Sequence, residues 1–305
     1  MLSTQVRRTA AAIATSLVVV ALAGCSEDKK ASAPKAFGNA VKVSAVDYGY
    51  TLDKPMVKSG LTKITFANNG KDAHMMAVAS MKAGKTLADV TAALNSPDEA
   101  AADAVLEDQN TDVAPGLPNI LNPGASVTVY TELPTGKYAL ICYFPVAGAP
   151  PAAGGPPPFH YQRGMVNQLE VTSEASTDVA PSTAGEIALA DGKLTLPAGF
   201  TGKGTFRVTN TGPEDHSVYF VGLPGGKTLA QVGTTVDGYF EGKATLADLA
   251  GVLNGGTDSI AAGKSIFVEI NLPPGGYAAI CTESNAEGKD HTEADPGEAV
   301  PFTVT

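Results

Sequence analysis

Residues 136–165 read GKYALICYFPVAGAPPAAGGPPPFHYQRGM, and the order of events inside this stretch decides the fold. Residues 137–141 form a short apolar run of strand formers that ends at Cys142. A Pro/Gly-rich loop of seventeen residues follows, then His160, and five positions later Met165. One strand delivers a thiolate, and the loop after it returns an imidazole and a thioether. Another imidazole has to come from elsewhere, and His74 is the only other histidine in this half of the chain.

Two imidazoles, one thiolate and a weak axial thioether make a blue-copper donor set. Soft sulfur suits Cu(I), and imidazole suits both copper oxidation states. At these residues the chain resembles the cupredoxins, the plastocyanin-like copper proteins. The matching parts are Tyr138-x3-Cys142, His160-x4-Met165, and Gly164-Met165-Val166 leading into a last strand at 167–172. Upstream, Asn68-Asn69-Gly70-x3-His74 resembles the strand-turn-strand that supplies the family's first histidine. The resemblance implies a type 1 copper with Cys142 as thiolate, His74 and His160 equatorial, and Met165 axial. Familiar members place only a few residues between Cys and the second His, against seventeen here. Each doubling of a closed loop costs only about 0.6 kcal/mol, so the ends can still meet.

The rest of the chain repeats itself. Asn68-Asn69-Gly70 before His74 recurs as Asn210-Thr211-Gly212 before His216. GKTLADV at 84–90 recurs as GKTLAQV at 226–232, and LPTGKYALIC at 133–142 recurs as LPPGGYAAIC at 272–281. The chain is therefore read as mainly β, with two tandem Greek-key β-sandwiches at 41–172 and 186–305 joined by the small, polar linker 173–185. Short runs at 63–67, 127–131, 205–209 and 266–270, bounded by Gly, Pro and Asn, read as strands. Helix is expected only in the insert after each first histidine. Thr86 and Thr228 serve there as N-caps, Thr245-x-x-Asp248 repeats the pattern, and 97–108 forms a second short helix.

Residues 1–24 read as a targeting segment, with Arg7 and Arg8 ahead of an apolar run at 10–23. Leu22-Ala23-Gly24-Cys25 resembles the bacterial lipobox, which implies an acylated Cys25 that anchors the chain to the outer face of the cytoplasmic membrane. An ordinary secretory peptide is the competing reading. Residues 25–40 are small and polar, a flexible tether that reaches roughly 55 Å when extended.

Apart from Cys25, the four histidines and remaining two cysteines all fall at ligand positions of the two copies. A lone histidine is ordinarily a surface or core residue, and a lone cysteine a small hydrophobe, but that does not explain the empty remainder of the chain. In the second copy His216, Cys281 and His291 are in place, and Glu298 stands where Met165 stands in the first. A carboxylate favours Cu(II) or Zn(II). Alternatively this copy is a degenerate domain kept for packing or partner binding. A Cys142–Cys281 disulfide is the other use of the thiols, and it would require the two ligand faces to meet. Met75 and Met76 read as extra soft ligands or, at period two, as one core residue and one outward one. The apolar 147–159 loop reads as a docking surface or a stiff spacer.

Composition narrows the function. Removing Arg7 and Arg8 lowers the basic count from 21 to 19 against 31 acids, a net −12, which argues against nucleic acid as a partner. Phosphate loops, nucleophile elbows and paired helix histidines are absent. Four dispersed histidines cannot supply the His-x-His pairs of a trinuclear copper cluster, so no enzymatic role is expected. The sequence thus reads as a membrane-anchored copper lipoprotein that passes single electrons or holds copper, with a redox or copper-delivery protein as its partner. The alternative is a metal-free, cupredoxin-like binding or structural lipoprotein.

Overall fold

The computed structural model describes residues 37–107, 116–149, 157–284 and 296–305. The targeting segment, Cys25, most of the tether, and His291 lie outside the described residues. Among those described, no helix is long and apolar enough to cross a membrane.

The chain is mainly β, consistent with a cupredoxin-like sandwich. The first copy contributes β1 (Ala40–Val46), β2 (Gly49–Leu52), β3 (Met56–Asn68), β4 (Ala77–Ser80), α1 (Leu87–Leu94), β5 (Ser126–Leu133), β6 (Gly136–Ile141) and β7 (Val166–Ala175). The second contributes β8 (Gly185–Ala190), β9 (Lys193–Thr195), β10 (Lys203–Asn210), β11 (Tyr219–Gly222) and α2 (Leu229–Phe240). It then adds β12 (Leu253–Gly256), β13 (Ser265–Asn271), β14 (Gly275–Ile280) and β15 (Ala299–Val304). Every run singled out above as a strand falls within one of these.

β3 belongs to two layers. Its first residues pair in parallel with β7, and from Gly60 onward it pairs with β5, with β1 alongside. Gly60 has φ +93°, a conformation that only glycine adopts without strain, and the strand changes sheets there. β6 is buried on both faces, which explains its unbroken apolar run. Tyr138, Leu140 and Cys142 point into the main core, while Ala139 and Ile141 join a small cluster with Val90 of α1. Period-two alternation thus aims Cys142 into the sandwich.

The two copies share a sheet. β5 of the first pairs antiparallel with β13 of the second, Val129 opposite Val268 and Tyr130 opposite Phe267. The resulting order is β4-β6-β7-β3-β5-β13-β10-β8-β9, and β12-β11-β14-β15 form a second, four-stranded sheet. Val129 and Val268 are fully buried, and one apolar core runs through both copies. Lys63 and Tyr130 both reach Glu269 across the seam, at 3.4 and 2.8 Å. Pairing β5 with β13 covers an edge of each copy that would otherwise present unpaired backbone groups.

Both inserts carry their helix. Thr86 and Thr228 cap α1 and α2 with reciprocal bonds to Asp89 and Gln231, and the Asp248 carboxylate accepts from Thr245 N–H at 2.8 Å. Residues Glu99–Ala104 form a 3-10 turn where a second short helix was expected. Helical turns are not confined to the inserts, however. His160–Arg163 and Pro296–Glu298 are also 3-10 turns, because the chain reverses there to enter β7 and β15.

Candidate metal centre

The Asn-x-Gly motif at the end of β3 and of β10 is a backbone clamp for the histidine that follows. The Asn68 side chain accepts from Gly70 N–H at 2.9 Å and donates to the carbonyls of Asp72 and Leu121 at 2.8 and 2.9 Å. Asn210 repeats all three contacts with Gly212, Glu214 and Ile260. His74 then pairs in both directions with the Leu121 backbone, and His216 with that of Ile260. Each turn is thereby pinned, and each imidazole is fully buried.

The long loop after Cys142 closes on itself within a few residues. Pro145 pairs with Phe159, Val146 N–H donates to the Pro158 carbonyl, and His160 N–H donates to the Phe144 carbonyl. His160 therefore returns beside Cys142 whatever the loop does beyond Ala149, which removes the objection that its length raised. Met165 is anchored to both neighbours: its carbonyl accepts from Cys142 N–H at 3.2 Å, and its N–H donates to the His160 carbonyl at 3.1 Å. Its side chain is fully buried in the main core with Cys142.

Three expected ligands converge. His74 Nδ1 lies 3.0 Å from His160 Nδ1, which lies 3.4 Å from Cys142 Sγ. One candidate ligand atom from each of these residues falls within 4.8 Å of the others. The outer nitrogens are held by carboxylates that the sequence reading did not single out. Asp47 Oδ1 accepts from His74 Nε2 at 2.9 Å, and Asp72 Oδ2 accepts from His160 Nε2 at 3.2 Å. Burial works to raise both carboxyls, but the N–H groups of Lys71 and His74 around Asp47, and of His160 and Ala147 around Asp72, outweigh it and hold both below the ordinary range. Burial also lowers His74, against the opposing pull of Asp47.

With Nε2 donating outward on both rings, both Nδ1 lone pairs face inward, toward each other and toward the sulfur. Burial, partly offset by backbone N–H groups of Met75 and Phe144, pushes the Cys142 thiol up to about 12. A single thiol proton cannot satisfy two opposed lone pairs among side chains this fully buried. A soft cation can, so the donor set fits copper.

The second copy gathers a different set. His216 Nε2 donates to Asp191 Oδ1 at 2.9 Å, and its Nδ1 faces Glu298 Oε2 at 3.2 Å and Cys281 Sγ at 3.6 Å. Glu298 takes the backbone place of Met165, its carbonyl accepting from Cys281 N–H at 3.2 Å. Its carboxylate is buried and accepts from Gly192 N–H at 2.7 Å. The sulfurs correspond as well, Cys142 accepting from Met75 N–H at 3.5 Å and Cys281 from Ser217 N–H at 3.4 Å. Cys142 and Cys281 are not joined, so the disulfide is not formed. Met76 is the core methionine and Met75 the half-buried one.

A repeated signal in the sequence did accompany one outer carboxylate of each copy. Asp47 and Asp191 each follow an apolar strand and sit in the turn that leads to β2 or β9. In each copy the glycine of the Asn-x-Gly motif lies against the same pair. A Cβ on Gly70 would come within 2.4 Å of Asp47 Oδ1 and 2.6 Å of His74 Nε2, and one on Gly212 within 2.3 Å of Asp191 Oδ1.

No protein-family model matches the chain, and no curated protein matches it in sequence. Solved structures with a similar arrangement include a reduced auracyanin from Roseiflexus castenholzii, 23% identical, covering 45% of this chain and 98% of that one, at a TM-score of 0.28. A copper nitrite reductase from Nitrosomonas europaea is 13% identical and covers 87% and 93%, at 0.21. A blue copper oxidase from the same organism is 12% identical and covers 87% and 85%, at 0.22. At these values the likeness assigns no ligand or activity to this chain. It does correct one expectation: oxidases and nitrite reductases stand among the similar structures, so the exclusion of an enzymatic role from histidine count alone is withdrawn.

Proposed function

We propose that the chain is a copper-binding, electron-transferring lipoprotein of cupredoxin-like build, with a type 1 site in its first copy. The observation that carries this reading is the meeting of His74 Nδ1, His160 Nδ1 and Cys142 Sγ in a fully buried cluster, with each outer imidazole nitrogen tied to a carboxylate. In this proposal His74, His160 and Cys142 hold the metal and Met165 is the axial thioether. Copper held there supplies a one-electron couple. The protein keeps both imidazoles in one tautomer, excludes water, and fixes the donors so that little has to move when the charge changes.

The finer architecture belongs to the same proposal: two tandem Greek-key sandwiches at 41–172 and 186–305, fused along β5 and β13. So does location. Acylated Cys25 anchors the chain to the bilayer at the extracytoplasmic face, residues 25–40 hold the folded part off the surface, and a redox or copper-delivery protein is the partner. Cys25→Ser should release the protein from the membrane fraction, and equal partitioning of both forms would remove the anchor.

The second copy supports a separate reading. His216, Cys281 and Glu298 offer one nitrogen, one sulfur and one oxygen in a buried cluster, a harder set than the first. We propose that it takes Zn(II) or a Cu(II) of lower potential. His291 remains its proposed fourth ligand.

One titration tests the main claim. Cu(II) added to the reduced full-length Cys281→Ser chain should give an intense visible thiolate-to-copper band at one equivalent. Cys142→Ser and His160→Ala should each abolish it. A colourless chain with intact Cys142 overturns the type 1 reading and leaves the metal-free binding lipoprotein.

A further inference from the structure

We infer that Tyr239, carried by the helix of the second copy, positions the His160 imidazole of the first copy through Asp72, so that the second copy completes the first copy's metal centre. The inference rests on the proposed copper reading for its consequence, and on the metal-free geometry for its substance.

Asp72 is the junction. Its Oδ2 takes the His160 Nε2–H at 3.2 Å and the Ala147 N–H at 3.1 Å. Its Oδ1 takes the N–H of Ala73 at 2.8 Å and the hydroxyl of Tyr239 at 3.0 Å. The first three donors come from the first copy. The fourth comes from the end of α2, 167 residues along the chain. Tyr239 is 4% exposed and His160 fully buried, so the relay is shielded from water. The phenol stays protonated, since burial and the adjacent Asp72 both raise it, and it acts only as a donor.

Aromatic packing holds the helix end in place. Phe144, two residues after Cys142, packs tilted against Tyr239 at 5.3 Å and edge-on against Phe240 at 5.2 Å, and its ring lies 6.3 Å from that of His160. α2 is twelve residues long and α1 eight, so the repeat diverges at the element that crosses to the other copy. Among the described residues the partner of His74 has no such crossing: Asp47 is bonded to His74 and to backbone N–H groups of Lys71 and Asp72, all within the first copy.

A hydroxyl on Oδ1 draws charge from the carboxylate and weakens its hold on the His160 N–H. Without it the imidazole becomes the stronger donor on its inner nitrogen, which favours Cu(II). Tyr239 is thus a positioning residue that acts on His160 through Asp72.

The test compares the full-length chain with Tyr239→Phe, and with Tyr277→Phe as a control. Tyr277 loses a similar bond, from its hydroxyl to the Pro273 carbonyl at 2.8 Å, within the second copy. In the reduced, metal-free protein, Tyr239→Phe should move the two 15N side-chain shifts of His160 and leave those of His74 in place, while Tyr277→Phe moves neither. After one equivalent of Cu(II), Tyr239→Phe should keep the visible band but lower the midpoint potential. Wild-type His160 shifts in Tyr239→Phe overturn the inference. If the wild type takes up no copper, the copper reading fails while the metal-free shifts still decide the relay. Should Tyr239→Phe not fold, the wild-type Tyr239 hydroxyl proton decides: slow exchange with solvent supports the bond to Asp72, and fast exchange overturns it.

Discussion

Asp47 reaches His74 from the turn between β1 and β2, its Oδ1 accepting from Nε2 at 2.9 Å. The same carboxylate accepts from the backbone N–H groups of Lys71 and Asp72, so one side chain fixes both the turn and the ring it carries. Asp47→Asn keeps the shape and removes the charge. Loss of an outer partner of this kind weakens metal affinity by about 10–100-fold. A competition titration against a copper chelator measures it, and affinity within twofold of wild type would show that Asp47 does not orient the ligand.

Gly70 is the residue that permits that contact. Because a Cβ there would fall 2.4 Å from Asp47 Oδ1 and 2.6 Å from His74 Nε2, Gly70→Ala must separate the pair or shift the turn. The expected loss of folding stability is about 1–3 kcal/mol, the cost of leaving buried polar groups unpaired. Gly84→Ala is a useful comparison, since nothing lies within 4 Å of a Cβ at that site and only its φ of +77° opposes the change. Chemical denaturation of both variants gives the answer. Gly70 has no left-handed φ, so its loss reports crowding alone, and an unchanged midpoint in Gly70→Ala would mean that this crowding has no energetic weight.

The converging cluster was readable because soft-metal chemistry uses rare residues, and the repeat placed them twice. His74, Cys142 and His160 meet, and Glu298 takes the backbone place of Met165. Asp47 was not read because it precedes His74 by 27 residues, and an aspartate in a turn is ordinary. The pairing of β5 with β13 was unreadable for another reason. In sequence both strands read as period two, which specifies a buried face without saying which strand lies alongside, whereas β5 is buried without a break from Val127 to Thr131. Tyr239 had no signal at all, since a tyrosine near a helix end ordinarily packs against its own domain.

The seam between the copies carries an ionisable group of its own. Asp258 lies in the segment that pairs with Leu117, its N–H donating to that carbonyl at 2.6 Å. Burial raises its carboxyl above the usual range, against a smaller opposing effect of the Ser259 N–H. A carboxyl raised in the folded state binds its proton more tightly folded than unfolded. Its charge is therefore a cost above the folded pKa, relieved as pH falls through that value. Asp258→Asn should be more stable than wild type at pH 7, with the advantage shrinking on acidification. Denaturation midpoints at several pH values test the sign, and an advantage that grows toward low pH would contradict it.

The last expectation concerns Glu298, which distinguishes the two sites. Its backbone stands in the same relation to Cys281 as that of Met165 to Cys142, both at 3.2 Å, so a thioether grafted there enters a place already built for one. The carboxylate is buried, faces His216 Nδ1 at 3.2 Å and is steadied by Gly192 N–H at 2.7 Å. Glu298→Met removes the oxygen donor, frees the imidazole nitrogen for the sulfur side of the site, and leaves the Gly192 N–H without its acceptor. That unpaired N–H costs about 1–3 kcal/mol of stability. In a Cys142→Ser background, which silences the first site, the parent chain should bind Zn(II) in preference to Cu(I), and the Glu298→Met chain should reverse that order. Competitive loading followed by metal analysis measures the preference. If both chains keep the same order, Glu298 is not a ligand, and the buried carboxylate serves only to tie β15 to the turn at Gly192.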